Sequence, residues 1–517
     1  MANNNMRARI KDLRERQAKM REGGGPERIA KQHKEGKLTA RERIEQLVDP
    51  QSFHELMLFA EHRAILFGME GKTFPAEAVI TGTATIDGRG VHVASHDFTV
   101  AGGSAGEVHC DKITEMMKGS LKTGTPFVLF NDSAGARVQE GIDSLAAYGR
   151  IFYHNTLLSG VVPQISLICG PCAGGAVYSP ALTDFIIQTR QARMFITGPD
   201  VIRQVTGETI TQEQLGGPET HMRNSGVCHF IADDDHDAIR ICKKLLSFLP
   251  SNNLESPPRS PFEETIELDE SLNDIVPDDP KKPHDVKDII HRVVDYGDFF
   301  EVHNHYAENM VVGFARIMGR PIGIVGNQPK VMAGCVDINS ADKAARFIRF
   351  CNAFNIPLVT FVDVPGFLPG VHQEYGGIIR HGAKMLYAYS ECTVPKITVI
   401  VRKAYGGAYL AMCSKDLGAD RVAAWPSAEV AVMGAEGAAN IVFRRDIEKA
   451  EDKDAKRREL IEHYRSHFAT PYFAAARRLV DDVIEPAETR LFLASALESI
   501  HSKRETRPAK KNGNIPL

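Results

Sequence analysis

Gln164-Ile165-Ser166-Leu167-Ile168-Cys169-Gly170-Pro171-Cys172-Ala173-Gly174-Gly175-Ala176 reads as an apolar strand that runs into a glycine pair and then a helical pattern. The same grammar returns where Lys396 to Val401 leads into Lys403-Ala404-Tyr405-Gly406-Gly407-Ala408-Tyr409. Short, continuously apolar strands bounded by Gly, Pro or Asp and alternating with helices, such as Pro126 to Phe130 and Val394 to Val401, predict a buried, largely parallel sheet in an α/β fold. A strand, a Gly-Gly-Ala turn and a helix also expose unpaired backbone N–H groups at a helix N-terminus, where the dipole favours negative charge. Glycine keeps that position open to a ligand oxygen. Such donors stabilise a developing oxyanion, and losing one typically costs about 3 kcal/mol. Either copy alone also reads as a plain tight turn that starts a helix. Two copies point instead to two oxyanion holes and to chemistry with two carbonyl-like partners.

Outward from these stretches the likeness continues at a constant spacing. Val79-Ile80-Thr81-Gly82-Thr83-Ala84-Thr85-Ile86-Asp87-Gly88-Arg89 precedes Met310-Val311-Val312-Gly313-Phe314-Ala315-Arg316-Ile317-Met318-Gly319-Arg320 by 231 residues. Asp111-Lys112 falls on Asp342-Lys343, Thr125-Pro126 on Ile356-Pro357, and Asp132 on Asp363. After a one-residue insertion Pro163 falls on Pro395 and Gly174-Gly175 on Gly406-Gly407. A register kept this long is an internal duplication. It predicts two homologous domains, residues 1–260 and 275–517, joined through a Pro-rich, charged stretch from Ser256-Pro257-Pro258 to Lys281-Lys282-Pro283.

Composition excludes other classes. Of 517 residues 43% are apolar and 25% charged, as in ordinary globular proteins. Sixty-two basic against 66 acidic side chains leave a net charge of -4, which gives nucleic acid no electrostatic hold. The opening Met1-Ala2-Asn3-Asn4-Asn5-Met6 is polar and lacks a signal-peptide core, and no stretch has the length of a membrane span. Nine scattered cysteines do not form a disulfide framework, so a reducing cytoplasm is expected. Met6 to Glu22 reads as an amphipathic helix with a solvated charged face.

Several motifs are decoys or alternatives. Cys169-Gly170-Pro171-Cys172 has redox-site spacing, yet its counterpart, taken as Arg402-Lys403-Ala404-Tyr405, has no thiol, so buried free cysteines are expected. Gly102-Gly103-Ser104-Ala105-Gly106 fits the nucleophile elbow G-x-S-x-G and keeps open a serine hydrolase using Ser104. Its partner Ala333-Gly334-Cys335-Val336-Asp337 has lost the serine, which favours a Gly-rich turn at a helix head. His303 and His305 would share one strand face, but no third ligand follows and no metal site is assigned. Met116-Met117-Lys118-Gly119 lacks the flanks of a biotinylation motif, and neither a phosphate loop nor a dinucleotide fingerprint is present.

Longer motifs carry a family resemblance over essentially the whole chain: Asp132-Ser133-Ala134-Gly135-Ala136-Arg137-Val138-Gln139-Glu140-Gly141, Gly170-Pro171-Cys172-Ala173-Gly174-Gly175-Ala176, Phe361-Val362-Asp363-Val364-Pro365-Gly366-Phe367, Gln373-Glu374-Tyr375-Gly376-Gly377, Lys403-Ala404-Tyr405-Gly406-Gly407-Ala408-Tyr409 and Ala424-Trp425-Pro426-Ser427-Ala428-Glu429. The sequence resembles the carboxyltransferase β subunits of biotin-dependent acyl-CoA carboxylases, including the transcarboxylase 12S and propionyl-CoA carboxylase β types. Ala134 stands where that family usually has a second glycine.

The resemblance implies two tandem crotonase-like domains, a homohexamer, and sites shared between the N-terminal domain of one protomer and the C-terminal domain of another. It implies transfer of a carboxyl group between N1 of a biotin ureido ring and the α-carbon of propionyl-CoA, giving methylmalonyl-CoA. Gly174 and Gly175 would form one oxyanion hole, Gly407 and Ala408 the other. Ala134, Gly135, Ala173, Tyr405, Gly406 and Leu410 would line the substrate. Some propionyl-CoA-preferring members of the family carry Asp at the position of Leu410, so an apolar pocket mouth with graded acyl preference is expected here. Biotin would arrive on a carrier protein or biotinylated subunit, loaded by a biotin carboxylase or by a keto-acid carboxyltransferase subunit. A methylmalonyl-CoA decarboxylase α subunit is the alternative within the family.

Overall fold

Repeated segments become repeated strands. The computed structural model describes residues 5–263, 265–277, 279 and 282–517. Residues 1–4 of the polar opening, and Asp278, Pro280 and Lys281 of the Pro-rich stretch, lie outside the described residues. The chain divides into two units, Met1–Glu255 and Ser256–Leu517.

In the first unit eight strands form one sheet: β1 (His54–Leu56), β2 (Val79–Ile86), β3 (Arg89–His96), β4 (Phe127–Ser133), β5 (Gln164–Ala173), β6 (Phe185–Thr189), β7 (Arg193–Phe195) and β8 (Phe230–Ala232). Their order is β1-β2-β3-β4-β5-β6-β8, with β7 beside the end of β5. β2 and β3 form an antiparallel hairpin, and from β3 onward the pairing is parallel. The second unit repeats this with β9 (Phe300–Val302), β10 (Met310–Ile317), β11 (Arg320–Asn327), β12 (Leu358–Val364), β13 (Lys396–Tyr405), β14 (Arg421–Ala424), β15 (Glu429–Ala431) and β16 (Asp482–Val483). Its order is β16-β14-β13-β12-β11-β10-β9, with β15 beside the end of β13. β10, β11 and β12 begin and end 231 residues after β2, β3 and β4, while β13 lies 232 after β5.

Helices bury the apolar faces. In the first unit Glu107–Thr123 packs on Ile142–Leu158, and in the second Ile338–Ala353 packs on Ile378–Glu391. Ile113, Met117 and Ile151 of the first pair pack with Phe127 and Leu129 in one core; in the second unit Val359, Phe361, Val399 and Trp425 pack with the helices Val286–Val293 and Thr489–Ile500. Trp425, the single tryptophan, is buried and donates its ring N–H to Thr489 Oγ1 at 3.0 Å. The first helix covers Met6–Arg21 with a mostly exposed, charged surface.

The duplicated Asp-Lys pair has a clear physical role. Lys112 Nζ donates to the carbonyls of Ala76 and Val79 at 2.7 and 2.6 Å, and Lys343 Nζ to those of His303 and Tyr306 at 2.9 and 2.6 Å. Both ammonium groups are buried and satisfy the turns that lead into β2 and β10. These turns correct the expectation for His303 and His305. They lie in a turn after β9, not on one strand face; His303 is buried at φ 55° and His305 sits at the surface.

Burial pushes Lys112 down to about 8 and Lys343 down to about 7. The unfolded chain therefore binds more protons than the native one between the native values and the ordinary lysine value. Stability from these sites rises with pH across that window. The difference in unfolding free energy between the native chain and Lys343→Met should climb from pH 7 towards pH 10; a flat difference would contradict it.

Candidate active site

The site begins at a bulge. Pairing between β4 and β5 shifts register between Asn131 and Ser133, and pairing between β12 and β13 shifts between Val362 and Val364. The extra residues lie on the later strand: Cys169 to Pro171 of β5 stand opposite Asp132, and Val401 to Lys403 of β13 opposite Asp363, so each aspartate faces a bulge. A side chain from the adjoining strand accepts the N–H of each: His96 Nδ1 for Asp132 at 3.4 Å and Asn327 Oδ1 for Asp363 at 3.3 Å. Burial and then Arg43 push His96 down to about 4, which keeps its ring neutral and able to accept.

The two carboxylates find different cations. Asp132 meets Lys37 Nζ at 2.6 Å and Arg43 at 3.0 Å, and Arg43 reaches on to Asp235 at 2.8 Å. Gly170 on β5 makes this possible, because a Cβ there would lie 1.9 Å from Asp132 Oδ1 and 2.8 Å from Lys37 Nζ. The strand register places Arg402 at the matching position of β13, one residue from the sequence alignment of Cys169 with Arg402. Arg402 binds Asp363 at 3.0 Å, and the Lys403 N–H donates to the same carboxylate at 3.0 Å. One unit brings its cations from the N-terminal segment; the other builds its cation into the strand.

Past each bulge the chain locks against a turn of the preceding crossover. Ala101, Gly102 and Gly103 all have positive φ, as do Met332, Ala333 and Gly334. A Cβ on Gly103 would fall 2.3 Å from the Asp132 carbonyl, and one on Gly334 2.5 Å from that of Asp363. Ala105 N–H donates to Gly135 O at 2.9 Å, and Val336 N–H to Gly366 O at 3.1 Å. Ser104 has ordinary extended backbone, φ -64° and ψ 133°, without the strain of a nucleophile elbow.

The glycine pairs close the arrangement. β5 and β13 run further than the apolar runs predicted, to Ala173 and Tyr405. The next residues, Gly174 and Gly406, turn at φ 61° and 59° and open a 3-10 turn, Gly174–Val177, and a short helix, Gly406–Ala411. First-turn N–H groups have no acceptor within their own helix; Gly174, Gly175, Gly407 and Ala408 all lie there. A Cβ on Gly174 would meet nothing within 4 Å, and on Gly175 and Gly407 only Tyr148 and Phe367 at 3.9 Å. The side-chain positions of Gly174, Gly175 and Gly407 are therefore open, while a Cβ on Gly406 would lie 3.0 Å from Val432 O.

Sequence-predicted residues gather by unit. Ala134, Gly135, Ala173, Gly174 and Gly175 form one cluster: Ala134 is exposed, and a Cβ on Gly135 would lie 3.2 Å from Ala173 O. Tyr405, Gly406, Gly407, Ala408 and Leu410 form the other, with Leu410 42% exposed. Cys169 and Cys172 are buried strand residues; burial pushes Cys169 far up and Cys172 up to about 12, which removes the redox reading. Lys118 is a surface lysine paired with Glu115.

Sequence reading missed the cations of Asp132, since Lys37 and Arg43 have no counterparts in the repeat. It also missed a basic cleft of about 570 Å³ bordered by Arg28, Lys72, Phe74, Ala101 and Arg137. A smaller neighbouring one of about 290 Å³ contains Arg28, Lys31 and Gly102. Gly102 ties this surface to the first cluster, because its Cβ would lie 3.7 Å from that of Ala134.

Each of the two duplicated α/β units ends a parallel strand in a glycine turn that starts a helical segment, with an ion-paired aspartate facing the bulge of that strand. The Carboxyl transferase domain family matches residues 31–515, and the chain belongs to that family. It is 61% identical over 511 residues to the methylmalonyl-CoA carboxyltransferase 12S subunit of Propionibacterium freudenreichii subsp. shermanii, covering 99% of this chain and 98% of the relative. It is 58% identical over 511 residues to the methylmalonyl-CoA decarboxylase subunit alpha of Veillonella parvula, covering 98% and 99%. A solved transcarboxylase 12S, described as a hexamer assembly with methylmalonyl-coenzyme A and methylmalonic acid bound, superposes with a TM-score of 0.99 at 61% identity, covering 100% of this chain and 99% of that one. The fold is two tandem crotonase-like domains.

Asp132→Ala leaves Lys37 without its buried carboxylate and Arg43 with Asp235 alone. Breaking such a pair costs about 3–5 kcal/mol, whereas Glu115→Ala at the surface costs about 0–1 kcal/mol. Thermal unfolding should show a clear drop in Tm for the first and almost none for the second; equal Tm values would refute the structural weight given to Asp132.

Proposed function

We propose that this chain moves a carboxyl group between a biotin ureido ring carried by a partner protein and the α-carbon of a short acyl-CoA, interconverting propionyl-CoA and methylmalonyl-CoA. The observation that carries the reading is the equivalent pair of open glycine turns in a chain of the carboxyl transferase family. The names of its relatives support methylmalonyl-CoA as the thioester, and propionyl-CoA is what remains when the carboxyl leaves. The turns suit both partners, because each carries first-turn N–H donors beside glycines whose side-chain positions at Gly174, Gly175 and Gly407 are open.

In this reading Gly174 and Gly175 hold one developing oxyanion and Gly407 and Ala408 the other, the thioester enolate in one hole and the ureido oxygen in the opposite one. Fixed donors aimed at charge that appears only in the transition state lower the barrier without reorganisation. Carboxybiotin, when bound, supplies the carboxyl group and afterwards a basic ureido nitrogen for the α-proton, so a side-chain base is not needed. Arg28, Lys31 and Lys72 give the first unit's cleft the positive potential that attracts the phosphates of coenzyme A. Ala134, Gly135 and Ala173 line the thioester in the first unit, and Tyr405, Gly406 and Leu410 line the reacting groups in the second.

The hexamer assembly of the solved relative supports a homohexamer, which in this reading is served by a biotin carrier. Unpaired thiols at all nine cysteines support a reducing cytoplasm, and no helix among the described residues is long and apolar enough to cross a membrane. A second reading, favoured by the decarboxylase relative, runs the same transfer towards biotin in a decarboxylase complex.

The purified chain should exchange carboxyl between methylmalonyl-CoA and free biotin or a biotin carrier without ATP. Ester hydrolysis without biotin-dependent turnover would replace this reading with the serine hydrolase.

Leu410 provides a test of selectivity. Its exposure, three residues past Gly407, supports a place at the pocket mouth rather than in a helix core. One methylene in an apolar pocket changes selectivity by about 1–3 kcal/mol, so acetyl-CoA and butyryl-CoA should be slower substrates than propionyl-CoA. Leu410→Asp should shift the ratios of kcat/KM among the three; unchanged ratios with retained activity would remove Leu410 from the pocket.

A further inference from the structure

We propose that Glu429, anchored by Arg465, is a positioning residue that holds the Gly406-Gly407-Ala408 turn in place through the Tyr405 hydroxyl. The inference rests on the reading of that turn as an oxyanion hole. Tyr405 is the last residue of β13 and immediately precedes the left-handed Gly406. β15 lies parallel beside it, with Lys403 opposite Glu429 and Tyr405 opposite Ala431. The phenol crosses back to donate to Glu429 Oε2. Glu429 Oε1 lies 3.7 Å from Arg465 Nε, and Arg465 also binds Glu436 and Glu462 at 3.0 Å each. Arg465 belongs to the Lys453–Phe468 helix, which packs on Ala435–Val442. A chain of polar contacts thus runs from that helix to the residue that sets the turn.

Packing restricts the same residue from another side. A Cβ on Gly434 would lie 3.3 Å from the Tyr405 ring, and one on Gly406 3.0 Å from Val432 O. The ring and the turn therefore rest on the segment that joins β15 to Ala435–Val442. Burial, then Glu429, push the Tyr405 phenol far above its ordinary value, so it remains a donor at working pH.

The first unit has no such tether. Ala173 precedes Gly174 where Tyr405 precedes Gly406. Arg193, opposite Pro171, takes the register position of Glu429 and pairs with Glu213 instead. The backbone turn is common to both units, but only the second ties it to a distant helix through a side chain. A misplacement of about 1 Å in a reacting constellation can cost about a hundredfold in rate, so a partial loss of the tether should fall on kcat.

Carboxyl transfer, KM for the acyl-CoA, and hydrogen exchange across residues 403–411 are to be measured in the intact assembly for Tyr405→Phe, Glu429→Ala and Glu429→Gln. Tyr405→Phe and Glu429→Ala should lower kcat about tenfold, leave KM little changed and speed exchange at Gly406, Gly407 and Ala408. Glu429→Gln keeps an oxygen that accepts the phenol proton and should restore both readouts. Unchanged kcat and exchange in Tyr405→Phe would overturn the proposal. So would losses that Glu429→Gln fails to restore and that accompany a lower Tm or a broken assembly. A wild-type chain without carboxyl transfer would sink the functional reading instead, and exchange would still decide whether Glu429 holds the turn.

Discussion

A carboxylate buried at a strand bulge, and the cation that must accompany it, is the constraint around which each unit is built. Removing Asp132 or Asp363 from water is costly unless charge and hydrogen bonds are supplied on the spot. The two units supply them by different routes. Lys37 and Arg43 reach Asp132 from the N-terminal segment, and Gly170 gives up its side chain so that they fit. In the second unit Arg402 occupies the position of that glycine and performs the task from the strand itself. Duplicated backbones have thus kept the carboxylate while exchanging the source of its partner.

The bulge interrupts regular pairing between β4 and β5 and between β12 and β13. Past Ser133 and Val364 the chain leaves the ladder and locks against the segments that follow the left-handed turns at Ala101–Gly103 and Met332–Gly334. Gly103 and Gly334 permit that contact, since a Cβ at either would collide with the aspartate carbonyl. At the end of the adjoining strand, Gly174 and Gly406 turn the chain into a helical first turn, whose N–H groups have no acceptor within their own helix. Neither Ser104, with ordinary extended backbone, nor the buried Cys169 and Cys172 has the geometry of a nucleophile.

Differences between the units are as informative as the likeness. Lys112 and Lys343 do the same work, feeding ammonium protons to the carbonyls of a turn that would otherwise be buried without donors. Tyr405, Glu429 and Arg465 have no equivalents in the first unit, whereas the basic cleft around Arg28 and Lys72 belongs to the first. One unit has basic side chains bordering its cleft, and the other a polar chain of contacts behind its turn.

The sequence by itself determined the two-fold α/β plan, because apolar strands and glycine turns are local signals and a constant spacing repeats them. It also singled out the glycine pairs Gly174-Gly175 and Gly406-Gly407, since strand, glycine pair and helix follow one another along the chain. It misjudged His303 and His305, whose alternation suggested a strand; a buried turn bonded to Lys343 overrides that pattern. It aligned Gly170 wrongly with the second unit, because register belongs to the pairing of β4 with β5 and of β12 with β13. Tertiary structure alone decided the partners of Asp132, the tether from Arg465 to Tyr405 and the cleft around Arg28. Each joins residues far apart in the chain, and spacing along a sequence carries no information about which distant charge will reach a buried one.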